Sequence, residues 1–101
     1  MIKSPVYVAV DTPEIPHARK LAQVLGPWVG GLKLGLEFFC AHGPAGVREV
    51  MGGTELPLFL DLMLHDIPNT VAGAVRSVVP LRPTFLTVHA GGGGAMLRAA
   101  V

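Results

Sequence analysis

Four ionisable residues, Asp11, Lys33, Asp61 and His89, stand near the C-terminal ends of four short apolar runs. Lysine offers a fixed cation and a proton, and aspartate offers a carboxylate. Opposite charges held within ~4–6 Å of each other keep both groups ionised. Groups so fixed could stabilise developing charge or move a proton. A core built by burial alone would not hold them, because an unpaired buried charge is very costly. The other candidates carry less. The histidines His17, His42, His65 and His89 lack metal-ligand spacing. His65 and His89 read first as buried residues hydrogen-bonded to backbone or carboxylate, ahead of any catalytic part. The glycines at 91–94 make neither a Walker loop nor a dinucleotide fingerprint. They read as a permissive turn rather than a phosphate cradle at a helix N-terminus. Met51 and Met96 read as core, whereas Met63 interrupts a polar face and has no comparable structural account.

The elements that must position these residues follow from periodicity. Strand-like runs occupy residues 5–11, 31–35, 57–65 and 84–90 at nearly even spacing. Helical patterning fills the intervals. Residues 16–25 place Ala18, Leu21, Ala22 and Leu25 on one face, and Gly26-Pro27 ends the run. A second helix is expected near residues 44–51, entered at Gly43 or Pro44. A third is expected over residues 68–79, stopping before Pro80, and a fourth begins after the glycines at 91–94. Strand–helix repeated four times predicts parallel strands joined by right-handed crossovers. Such units close as an open doubly wound sheet or as an eight-stranded barrel. A barrel needs about 250 residues, so four units would be half of one. Strand side chains alternate between faces. One face therefore collects Leu58, Leu60, Leu62 and Leu64, and the other Phe59, Asp61, Met63 and His65. Applied to every run, this puts Asp11, Lys33, Asp61 and His89 on one face. In a barrel that face is the interior, and its C-terminal mouth is where active sites lie.

Composition agrees. Half of the sequence is hydrophobic and 15% is charged, against about 25% charged in an average soluble domain. Disorder needs the opposite balance, and strands buried on both faces explain this one. The net charge is +1 and the cations are scattered, so no nucleic acid is expected as a partner. The N-terminal apolar run is too short for a signal segment or a membrane span. A single cysteine, Cys40, excludes an internal disulfide framework and fits a reducing, cytoplasmic setting. The reading is one partial domain over residues 1–101.

The run Asp61-Leu62-Met63-Leu64-His65-Asp66-Ile67-Pro68-Asn69-Thr70 resembles the Asp-Leu-Lys-x-His-Asp-Ile-Pro-Asn-Thr signature of the orotidine 5′-phosphate decarboxylase family. Val8-Ala9-Val10-Asp11, Lys33-Leu34-Gly35 and Thr87-Val88-His89-Ala90, followed by the glycines, match in order. The resemblance covers the whole sequence but only the first half of the family's (β/α)8 TIM barrel. It implies loss of carbon dioxide from C6 of orotidine 5′-monophosphate to give UMP, a step of de novo pyrimidine biosynthesis, with no cofactor and no metal. It implies that Asp11 binds a ribose hydroxyl and that Lys33 contacts the ribose and joins a charged array. Asp61 would face the substrate carboxylate. Asp66, Ile67 and Thr70 would reach the site of a partner subunit, so a homodimer or higher self-association is expected, with no membrane partner.

Decarboxylation leaves a carbanion at C6. Fixed cations stabilise it and a positioned ammonium protonates it. Met63 stands where the family has that lysine, and it has neither charge nor proton. Lys33, Asp61 and the partner subunit's Asp66 would then carry a formal −1 in place of zero. The family also holds the phosphate with second-half loops, so a truncated phosphate site and impaired or absent catalysis are expected. Two alternatives stay open. One is a non-catalytic, self-associating half-barrel. The other is a Mg²⁺-dependent sugar-phosphate lyase of the same wider group, which shares the bare Asp-x-Lys-x-x-Asp pattern.

Overall fold

The computed structural model describes residues 4–101, so residues 1–3 of the N-terminal apolar run lie outside it. Four strands alternate with four helices: β1 (Tyr7–Ala9), α1 (Ile15–Leu25), β2 (Gly31–Gly35), α2 (Leu36–Met51), β3 (Leu58–Leu64), α3 (Pro68–Val78), β4 (Phe85–Val88) and α4 (Gly94–Ala100). The strands form one parallel sheet in the order β1-β2-β3-β4. Each helical crossover therefore returns the chain to the next position of the same sheet.

One face of the sheet is sealed by helices. Leu32, Leu34, Leu58 and Leu60 are fully or nearly fully buried there, against Ala18 and Ala22 of α1 and Phe38, Val47 and Val50 of α2. These are the aliphatic positions that alternation assigns to the covered face. Met96 of α4 is fully buried and Met51 partly so. The opposite face is open. Tyr7, Phe59 and Phe85 gather on it with ring centroids 5.7–6.2 Å apart in edge-on and tilted pairs. Tyr7 can reach across β2 because residue 31 is glycine; a Cβ there would run into the Tyr7 ring.

Strand cores are shorter than the apolar runs, since ladder pairing stops where the loops begin. The larger difference is in α2, which starts at Leu36, directly after β2, instead of near Pro44. Gly43 (φ 62°, ψ −163°) makes a non-helical joint, and Pro44 opens the second piece. The Gly43-Pro44 pair thus marks a kink inside the helix. The first piece is held by burial of Phe38, which local breaker residues do not report. In α3 the helix ends at Val78, and a 3₁₀ turn over Val79–Leu81 absorbs Pro80.

Candidate active site

Parallel register brings three residues from neighbouring strands together on the open face. Lys33 of β2 lies in register with Phe59 of β3, and Gly35 with Asp61. Its Nζ donates to Oδ2 of Asp61 at 3.2 Å, a part-buried ion pair. From the other side, Oγ1 of Thr87 in β4 donates to Oδ1 of Asp61 at 2.7 Å. Both carboxylate oxygens are therefore occupied by donors. The Asp61 carboxyl is held below the ordinary aspartate value, most strongly by the Thr87 hydroxyl. Partial burial pushes the other way, and the hydrogen bond and charge of Lys33 lower it again. The result is an anion fixed against a cation where β2, β3 and β4 meet.

Strand β3 is irregular there. Leu60 pairs with Leu86 and Leu64 with Val88, so residues 61–63 stand opposite the single residue Thr87. Met63 adopts a left-handed backbone, φ 47°, which costs a non-glycine residue about 1–2 kcal/mol. Its N–H donates to Oγ1 of Thr87 at 2.9 Å, and its side chain is half exposed. Simple alternation does not run through this position; the bulge, not the pleat, aims residue 63.

The remaining candidates lie just beyond the C-terminal ends of β1, β3 and β4 or at the start of α3. Asp11 is exposed, just after Val10, whose N–H donates to the Lys33 carbonyl. Asp66, Ile67 and Thr70 are exposed at the start of α3, and Oδ1 of Asp66 accepts the Ile67 N–H at 2.7 Å. His65 and His89, expected to be buried, are exposed instead and stack with centroids 4.7 Å apart and planes at 17°. Lying at strand ends, they are past the packed layer. The expected backbone bond is present at His89, whose Nδ1 accepts the Gly91 N–H at 2.9 Å. The glycine run forms a turn into α4 in which Gly93 takes φ 89°. Among the described residues no group of three or more His, Cys, Asp or Glu could hold a metal ion, and no helix is long and apolar enough to cross a membrane. Sequence reasoning assigned Thr87 no part. Its parity was the available signal, because it shares the face of Asp61 on the adjacent strand.

The sequence profile of the "Orotidine 5'-phosphate decarboxylase / HUMPS family" matches residues 4–101. The chain belongs to this family. It is 61% identical over 97 residues to the orotidine 5′-phosphate decarboxylase of Sphingopyxis alaskensis, covering 96% of this chain and 43% of that one. It is 59% identical over 100 residues to that of Rhodospirillum rubrum, covering 99% and 40%. The chain thus spans about two-fifths of the length of these relatives. Among solved structures, the orotidine 5′-phosphate decarboxylase of Pyrococcus horikoshii superposes with a TM-score of 0.86 at 26% identity, over 93% of this chain and 45% of that one. The fold also matches the Methanocaldococcus jannaschii orotidine 5′-monophosphate decarboxylase complexed with the inhibitor BMP, at a TM-score of 0.89 and 18% identity, over 98% and 46%. The fold is that of the family's TIM barrel, of which this chain forms four of the strand–helix units.

Proposed function

We propose that the chain contributes the first four strands of a site for decarboxylation of orotidine 5′-monophosphate to UMP in pyrimidine biosynthesis, and that Met63 impairs this chemistry. The Lys33–Asp61 pair at the junction of β2 and β3, with Met63 two residues on, is the observation that carries the reading. The 61% and 59% identities to orotidine 5′-phosphate decarboxylases favour this branch over sugar-phosphate lyases, as does the Ile67-Pro68-Asn69-Thr70 extension.

In this reading Asp61 presents a fixed anion to the substrate carboxylate, which favours its departure as neutral carbon dioxide. Lys33 balances Asp61 and contacts the ribose, and Asp11 accepts from a ribose hydroxyl. Asp66, Ile67 and Thr70, exposed at the head of α3, serve a partner subunit in a cytoplasmic homodimer. The electron pair left on C6 needs a proton. A lysine at position 63 would deliver it, and the Met63 thioether cannot. General acid catalysis is worth ~10²–10⁴-fold, and loss of a cation facing a developing carbanion adds to the deficit.

The test supplies the second half of a relative's barrel, fused or in trans, to the Met63 chain and to Met63→Lys. Decarboxylation is followed by the fall in orotidylate absorbance after circular dichroism has shown both to be folded. The Met63→Lys form should turn over, and the Met63 form should lag by at least ~10²-fold. Equal rates would remove position 63 from proton delivery. A complemented Met63→Lys form without activity would count against the decarboxylase reading itself.

A further inference from the structure

The bulge in β3 poses a backbone problem. Residues 61–63 have one partner residue on β4, so the regular ladder cannot serve every N–H along the stretch. Met63 is also in a left-handed conformation that its side chain disfavours. Something must hold the strand in that shape, and one hydroxyl is placed to do so. Oγ1 of Thr87 accepts the Met63 N–H at 2.9 Å and donates its own proton to Oδ1 of Asp61 at 2.7 Å. The directions are mutually required. An ionised carboxylate only accepts and an amide only donates, so the hydroxyl must accept from one and donate to the other.

We propose that Thr87 is the positioning residue of this site, its single hydroxyl fixing both the Asp61 carboxylate and the backbone that aims residue 63. Thr87 touches no reacting atom; it acts through the two positions that do. Valine keeps its shape and loses both bonds, while serine keeps the hydroxyl. A residue chosen only for packing on β4 would tolerate the first change better than the second. The inference rests on the proposed function only in calling Asp61 and residue 63 reacting positions; the two hydrogen bonds stand without it.

The test uses the 101-residue chain by NMR, without substrate, so it stands apart from the decarboxylation assay. In Thr87→Val the Asp61 carboxyl should titrate at a higher pH than in the unsubstituted chain. The Met63 amide should exchange with solvent roughly tenfold faster, as for loss of one hydrogen bond. Thr87→Ser should return both toward the original values. Unchanged Asp61 titration and Met63 exchange in Thr87→Val would overturn the proposal, as would a serine variant that behaves like valine. If Thr87→Val fails to fold, the unsubstituted chain still decides. A Met63 amide exchanging as fast as those of exposed loops would show that the clamp is not formed, and a protected one would support it.

Discussion

Asp61 carries the residue-scale consequences because two donors hold it ionised. Its folded-state pKa is depressed, chiefly by the Thr87 hydroxyl and further by Lys33. The unfolded chain therefore takes up a proton at Asp61 more readily than the folded one. The resulting stabilisation is complete above the ordinary aspartate value of about 3.9 and is lost as pH falls below that, through the folded-state value. A paired comparison with a variant isolates this contribution. Asp61→Asn should melt lower at neutral pH, and its melting temperature should fall less steeply on acidification from about pH 5 to about pH 3. Parallel melting curves for the two proteins across that range, followed by circular dichroism, would show that the Lys33–Asp61–Thr87 cluster adds nothing to the folded state. The types and approximate positions of these residues were legible in the sequence, since alternation put Lys33, Asp61 and Thr87 on one face. The bulge was not. Periodicity assumes an unbroken pleat, and the left-handed turn at Met63 is set by cross-strand partners that no local pattern encodes.

At the scale of elements, the repeated strand–helix order could be read because the apolar runs of parallel strands contrast with amphipathic helices. Parallel pairing and the buried Leu face followed from that order. What could not be read was the reach of α2. Gly43 and Pro44 are breakers by type, yet the helical path continues past them because Phe38 on one side and Val47 and Val50 on the other share the same core. The joint is a backbone requirement. Gly43 sits at φ 62° and ψ −163°, a region essentially closed to residues with a Cβ, and outside its chain neighbours and the adjoining backbone of α2 no atom lies within 4 Å of where that Cβ would be. Gly43→Ala therefore tests conformation without a steric clash. It should destabilise the chain by about 1–3 kcal/mol, measured by urea denaturation with an unchanged m-value. A neutral effect would mean that the two pieces of α2 can join at a different angle without loss of packing.

At the scale of the molecule, the aliphatic face of the sheet is covered and the polar and aromatic face is open. Phe85 is 51% exposed within the Tyr7–Phe59–Phe85 cluster. Among the described residues the outer edges of β1 and β4 have no strand beside them. Unpaired edges and exposed apolar surface both favour association. The geometry favours one mode. The chain superposes on 45% of the Pyrococcus horikoshii structure with a TM-score of 0.86, as expected of half a closed barrel. All four strands run the same way, so a second copy related by a two-fold axis along the strands sets β4 beside β1 of its partner at both seams. Eight parallel strands would then surround the aromatic clusters, an isologous arrangement that closes on itself. A stable interface needs about 800 Å² from each partner, a modest share of the 6262 Å² exposed by one chain. The 101-residue chain, 10.6 kDa, should therefore scatter light as a dimer or larger species at tens of micromolar. Phe85→Glu places a charge on the face that such a dimer would bury, where an unpaired charge is costly, and should shift the population toward monomer while the far-ultraviolet circular dichroism is retained. A compact monomer of the unsubstituted chain at that concentration would refute association through this face. A dimer unaffected by Phe85→Glu would place the contact elsewhere, with the exposed head of α3 around Asp66 and Ile67 as the next surface to test.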